Sequence, residues 1–197
     1  MIGYLRSLFV GLCLISAAVA DDAPNSAHTP PESPFRASGP ETLEWAKRDF
    51  IEYQGRATIS AKYRFVYFDG NSDDDPGYSQ NPHLFLLPNQ EAQATLPYLT
   101  RWVYERDDSQ EKVLWTERAE RIWVTNVADA AAGLLGEQLA AEVLAGKHET
   151  VVGEAVVVID GFSAGYECDS PSFATRFVAV KHEISAPSVA KRGVGGC

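Results

Sequence analysis

The first residues that suggest chemistry are Gly161 to Gly165, which spell Gly-x-Ser-x-Gly after the apolar run from Val156 to Ile159. Such a motif can raise a serine hydroxyl at a sharp strand-to-helix turn, where the start of the helix helps to bind the oxyanion. Asp169 and His182 follow Ser163 in the order that a catalytic acid and base require in that arrangement. A small serine hydrolase is therefore one hypothesis for this chain.

The residues after Ser163 argue against that hypothesis. The segment YECDSPSF contains Pro171, and apolar residues alternate with polar ones on either side of Ser163, which is typical of a strand rather than of a helix. Taken alone, the five residues resemble the motif of lipases and esterases, but the repeated strand–helix units of an α/β-hydrolase are missing. We predict no catalytic residues, with Ser163, Asp169 and His182 as the alternative.

An acidic segment has oxygen ligands at the spacing that opens an EF-hand calcium loop; these are Asp69, Asn71, Asp73 and Asp75. Asp74 stands where such a loop needs glycine, and Gln80 stands where it needs a bidentate glutamate. The four histidines have no zinc spacing. We therefore predict a solvated loop, no metal site and no cofactor, with weak calcium binding as the alternative.

Residues 1–20 have the pattern of a secretory signal peptide, because Arg6 precedes an apolar run that ends in Ala18-Val19-Ala20. The run is shorter than the roughly 20 residues of a membrane span. We expect cleavage, export to the periplasm or the extracellular space, and no stable membrane insertion afterwards. Cys168 and Cys197 would then meet an oxidising compartment, so we predict that they pair, with a free or intermolecularly paired Cys197 as the alternative.

The formal net charge of −10 excludes nucleic acid as an expected partner, since an acidic protein repels polyanions at long range. Aromatic and basic residues nevertheless crowd one region, and the candidate binding residues are Trp102, Tyr104, Trp115, Trp123, Arg101 and Arg121. Arg106 and Arg118 lie in the same region. These aromatics either form core or present a platform for a partner, which is an unknown protein, peptide or glycan.

The pattern of the chain predicts the elements that would position these residues. The segments GRATISAKYRFVYF and HLFLLP are predicted strands, and RWVYER with EKVLWTER is a predicted hairpin, although a helix from about Glu111 is a second interpretation. Asn126 should cap a helix over about 127–145, which Gly146 should end. Asp160-Gly161 should turn between two further strands.

The predicted fold class is α+β, as a mainly antiparallel sheet or a small OB-like barrel with one main helix packed on it. We expect a disordered proline-rich linker over 21–40, a single globular domain over 41–184 and a flexible tail over 185–197. The function favoured by this sequence is that of an exported, non-enzymatic binding domain.

Overall fold

The chain folds mainly into strands. The computed structural model describes residues 25–43, 49–67, 82–104, 112–167 and 170–189. Its elements, in chain order, are β1 (Asn25–His28), β2 (Arg36–Ala37), β3 (Phe50–Tyr67), β4 (Pro82–Pro88), α1 (Gln90–Thr95), β5 (Tyr98–Tyr104), β6 (Lys112–Glu117), β7 (Ile122–Val124), α2 (Val127–Leu144), β8 (Thr150–Glu167) and β9 (Ser170–Val189). The predicted α+β class is confirmed.

Five strands close into a barrel. β3 pairs antiparallel with β4 and with β8, and β8 pairs antiparallel with β9. β7 completes the ring, because it is antiparallel to β4 on one side and parallel to β9 on the other. The pairings therefore run β3-β4-β7-β9-β8 and return to β3. Of the two predicted architectures, this is the five-stranded, OB-like barrel, with α2 between β7 and β8 in the chain.

Buried and exposed side chains alternate strictly along β3, which pairs with two other strands of the barrel. The odd-numbered residues from Ala57 to Phe65 are buried, while Thr58, Lys62 and Arg64 between them are exposed. Successive side chains of a strand point to opposite faces, so one face of β3 lies in the core and the other in solvent. Burial of each large apolar side chain contributes about 1.5–3 kcal/mol, which fixes the register.

The main helix, α2, packs on β9, and it begins and ends where the sequence predicts. Its buried face consists of Ala130, Ala131, Leu134, Leu135, Ala140 and Val143. The helix is kinked at Gly136, whose φ of 73° and ψ of 164° are not helical. None of the described helices is long and apolar enough to cross a membrane.

A second, smaller sheet consists of β1, β5 and β6, in that order. The β5–β6 ladder is antiparallel and unbroken from Leu99 with Glu117 to Tyr104 with Lys112. The alternative of a helix from about Glu111 is thus excluded for residues 112–117. Leu99 and Ala27 are buried in the common core, so this end of the small sheet is fixed to the barrel.

The predicted linker over 21–40 is wrong for residues 25–40. β1 pairs with β5 and β2 pairs with β3, and the side chain of Phe35 is completely buried against Phe162, with ring centroids 5.5 Å apart. Composition misses this because two well-placed apolar residues, Phe35 and Ala27, are enough to fix a proline-rich segment when a core is there to receive them. Residues 21–24 lie outside the described part of the chain.

The predicted turn at Asp160-Gly161 is also wrong, because β8 continues through it. The pairing with β9 shifts register between Asp160 and Phe162, and Gly161 has a φ of 67°. Gly161 therefore supplies the positive φ of a β-bulge inside one long strand, instead of a hairpin turn. The predicted flexible tail over 185–197 is wrong for residues 185–189, since β9 extends to Val189; residues 190–197 lie outside the description.

Candidate functional site

A groove of about 620 Å³ lies where the small sheet meets the barrel. Its lining comes from β6 and the residues after it, from β4 and β7, and from the start of β9; the residues are Leu87, Trp115, Thr116, Glu117, Arg118, Glu120, Arg121, Trp123, Pro171 and Phe173. Two tryptophans and two arginines thus share one concave surface. A concave site with aromatic walls and a few polar groups is the usual form of a binding site.

The barrel wall of the groove is built on the register of β4 and β7. Phe85 lies opposite Trp123, and their ring centroids are 4.2 Å apart. The guanidinium of Arg121 lies over the Phe85 ring at 5.1 Å, and the His83 ring meets Trp123 edge-on at 5.3 Å. Burial lowers the pKa of His83, which favours a neutral imidazole beside the tryptophan. These contacts hold Trp123 and Arg121 in place before any ligand arrives.

The opposite wall is the edge of the small sheet. Trp115 is exposed on β6, and Arg118 follows the last residue of that strand. The Arg118 guanidinium lies 4.3 Å from the centre of the Tyr98 ring, a cation–π contact that orients the side chain without neutralising its charge. Trp115 and Arg118 therefore face the groove from β6 and from the residue directly after it.

The charges of the groove are unequal. Glu117 pairs with Arg101, whose Nε lies 2.8 Å from the carboxylate Oε1, so this glutamate is already compensated. Neither Arg118 nor Arg121 forms an ion pair with a carboxylate in the described ranges, and Glu120 is the other acidic residue of the lining. The groove therefore offers two guanidinium groups to a ligand, on a chain whose net charge is −10.

No family model, curated protein or solved structure matches this chain. The function of the groove is therefore inferred from the positions of this chain's own residues. Of the predicted binding residues, the groove brings together Trp115, Trp123 and Arg121.

The other predicted binding residues lie elsewhere. Arg101 forms an ion pair with Glu117, and its guanidinium lies 5.9 Å from the centre of the Tyr166 ring. Arg101 therefore joins the small sheet to β8. Trp102 pairs with Leu114 on the face of the small sheet opposite to Trp115. The side chain of Tyr104 lies outside the described part of the structure.

Leu87, Pro171 and Phe173 complete the groove and are not among the predicted binding residues. Leu87 follows Phe85 by two residues, so the alternation of β4 places both on one face. That signal was available in the sequence. Pro171 and Phe173 arrive from about fifty residues beyond Trp123 in the chain, through the parallel pairing of β7 with β9, and no local pattern predicts such a pairing.

The candidate catalytic residues are not brought together. Ser163 pairs with Ala174 and His182 pairs with Val156, so seven residues of β8, roughly 20 Å, separate the two positions. The chain after Ser163 stays extended to Glu167, without the helix that a nucleophile elbow requires. Asp169 lies outside the described residues.

Several other predicted sites fall outside the described ranges. They are the candidate calcium ligands Asp69, Asn71, Asp73 and Asp75, and the predicted cysteine pair, Cys168 and Cys197. Within the described ranges, no group of three or more histidine, cysteine, aspartate or glutamate residues could hold a metal ion. The signal peptide over 1–20 likewise stays a prediction.

Proposed function

We propose that this chain is an exported, non-enzymatic binding domain, whose groove between β6 and the β4–β7 pair takes a carboxylate-bearing partner. The observation that carries the proposal is the meeting of Trp115, Trp123, Arg118 and Arg121 on one concave surface. Trp115 and Trp123 come from two separate sheets, whereas Arg118 and Arg121 lie in the segment that joins β6 to β7, and each of the four is held by a contact or a strand pairing of its own. A partner would thus meet side chains that are already oriented, which reduces the entropy lost on binding.

The chemistry of the groove favours carboxylates. Guanidinium groups bind carboxylates through parallel hydrogen bonds, and exposed tryptophan rings contribute apolar contact area beside them. The position of the groove is a second support, since β4 and β7 are the second and third strands of the barrel, the face that OB-like barrels use for polymeric ligands. That analogy concerns position alone.

Export is part of the proposal and rests on the pattern of residues 1–20. N-terminal sequencing of the protein recovered from a secreting host tests it. We expect the mature chain to begin at Asp21. Recovery of the intact N-terminus from the cytoplasm would contradict export without affecting the groove.

Binding is tested by titrating the protein with two carboxylate polymers, poly-L-glutamate and polygalacturonate. The change in the tryptophan fluorescence of the protein reports binding. We expect at least one polymer to bind at low salt and to dissociate as salt screens the charges. The double variant Arg118→Ala/Arg121→Ala should weaken binding at least tenfold, which corresponds to about 1.4 kcal/mol.

The control is the double variant Arg176→Ala/Lys181→Ala, which removes two exposed cations of β9 outside the groove. It changes the net charge by the same amount, so it should bind like the unmodified chain. Failure of both polymers to bind, or an equal loss in both double variants, would overturn the proposal.

A further inference from the structure

β6 is an edge strand whose middle lacks the usual protection, although Lys112 and Glu117 carry charges at its two ends. In the described part of the chain it pairs with β5 alone, and no described strand occupies its other side. Edge strands normally carry a charge, a proline or a bulge that prevents further pairing. Val113, Leu114 and Trp115 in the middle of β6 provide none of these, and the ladder with β5 has no shift in register.

Large apolar side chains are exposed on both faces of the small sheet near this edge. Val113 and Trp115 are 39% and 56% exposed on one face, while Leu114 and Trp102 are 50% and 38% exposed on the other. Four of the nine large hydrophobic residues exposed in the described ranges therefore belong to the β5–β6 pair. A strand with one solvated face carries its large apolar residues on the other face alone, so exposed apolar residues on both faces indicate a surface that a partner covers.

The groove borders the second half of β6. Its lining includes three consecutive residues of that strand, Trp115 to Glu117, whose side chains alternate between the two faces. A groove on one face would contact only every second residue. Since none of the described side chains of β5 lines the groove, the edge concerned is the one turned away from β5.

Charge decides which partner fits this edge. The residues that join β5 to β6 include Glu105, Asp107, Asp108 and Glu111 against the single base Arg106. An anionic lipid surface would be repelled by these acids, and a second copy would bring the same acids and a net charge of −10 against the first. A partner that fits this edge should instead place acidic residues beside Arg118 and Arg121, which line the groove.

We propose that the groove binds an extended segment of another polypeptide, which adds as a strand to the free edge of β6. This inference rests on the proposed function and specifies its partner. Main-chain hydrogen bonds to β6 supply affinity, as in other cases of strand addition. Consecutive apolar side chains of the segment point to alternate faces and so cover Trp115 on one face and Leu114 on the other, while acidic residues at one end reach Arg118 and Arg121.

The test begins with a library of displayed random 12-residue peptides. Peptides that bind the double variant Arg118→Glu/Arg121→Glu are removed first, and the remaining peptides are selected for binding to the full chain. We expect selected peptides to have consecutive apolar residues in their middle and acidic residues at one end. Each is then synthesised in two forms, N-methylated at the odd or at the even amides. A peptide that pairs through one edge should lose binding at least tenfold in one form and less than twofold in the other.

A matched pair of variants tests the edge itself. Leu114→Ser removes an apolar side chain of β6 that does not line the groove, and Ile184→Ser removes one of similar exposure on β9. We expect the first variant to weaken the selected peptides at least fivefold and the second to leave them unchanged. Neither should alter the circular dichroism spectrum, because both side chains are about half exposed.

The outcomes separate this inference from the proposed function. No enriched peptide, equal losses in both methylated forms, or binding of polygalacturonate alone would overturn strand addition. If poly-L-glutamate still bound through Arg118 and Arg121 in those cases, the carboxylate groove would stand. Association of the unmodified chain into dimers that Leu114→Ser abolishes would make a second copy the occupant, and would also overturn the inference.

Discussion

Asn126 illustrates how a single side chain can serve a different purpose from the one that its position suggests. It occupies the N-cap position of α2, as predicted, but its side chain makes no capping hydrogen bond to that helix. Its Nδ2 donates to the carbonyl oxygen of Phe177 at 2.9 Å, and its Oδ1 accepts from the Phe177 amide at 2.8 Å. The amide therefore extends the pairing of β7 with β9 by one step beyond Val124.

Replacement of Asn126 by serine distinguishes these two roles. Serine is as good an N-cap as asparagine, but it cannot make both hydrogen bonds to Phe177. We expect Asn126→Ser to lower the free energy of unfolding by about 1–3 kcal/mol, because backbone groups of β9 lose their partners. Urea unfolding measures the change.

Asn89→Ser is the matched control for that variant. Asn89 caps α1 through a hydrogen bond that its Oδ1 accepts from the Ala92 amide at 2.8 Å, which a serine hydroxyl can replace. It should change stability by less than about 0.5 kcal/mol. Equal stabilities for Asn126→Ser and the unmodified chain would show that the Phe177 contacts contribute nothing.

At the scale of elements, the sequence predicted those strands and helices that depend on residues close together in the chain. The strand GRATISAKYRFVYF and the helix over about 127–145 were both predicted from the sequence, since each follows from the pattern of one segment. Asp160-Gly161 was misassigned because the same dipeptide suits a hairpin turn and a bulge, and only the partner strand distinguishes them. The groove needed the parallel pairing of β7 with β9, which has no local signal.

The kink of α2 reverses the usual effect of a glycine substitution. In a regular helix, replacement of glycine by alanine stabilises by about 1 kcal/mol. At Gly136, where φ is 73° and ψ is 164°, we expect Gly136→Ala to destabilise by about 1–3 kcal/mol, because only glycine adopts this conformation without strain. Urea unfolding should show the sign, with the exposed neighbour Glu137→Ala as the control. A stabilised Gly136→Ala would mean that the helix is straight.

The whole molecule should lose stability in alkaline solution. Burial, with a smaller contribution from Glu183, raises the pKa of Tyr63 to about 12, and burial together with Glu117 raises the pKa of Tyr166 to about 12. An unfolded tyrosine titrates near pH 10. Between these values the folded chain keeps protons that the unfolded chain releases, so the free energy of unfolding falls as the pH rises.

Urea unfolding from pH 10 to about 12 measures this fall. The double variant Tyr63→Phe/Tyr166→Phe should show a shallower dependence on pH, whereas the less buried Tyr67→Phe should not. Identical slopes in all three proteins would contradict the assignment to the buried phenols.

The proline-rich N-terminal segment shows what composition cannot predict for the whole molecule. Its polar residues indicate disorder, but β1 pairs with β5 at Asn25 to His28, and Phe35 fills the core. Whether such a segment folds depends on a surface that other parts of the chain create. The same dependence explains why three of the six predicted binding residues reached the groove, and why Arg101 and Trp102 did not.

Hydrogen-exchange mass spectrometry of the full chain, with and without saturating poly-L-glutamate, tests the binding groove most directly. We predict slower amide exchange in residues 82–88 and 112–123, which form its two walls, and unchanged exchange in α2. Protection confined to α2 or to the part of β9 outside the groove, or no protection in a polymer-bound sample, would contradict the assignment of the groove as the binding site.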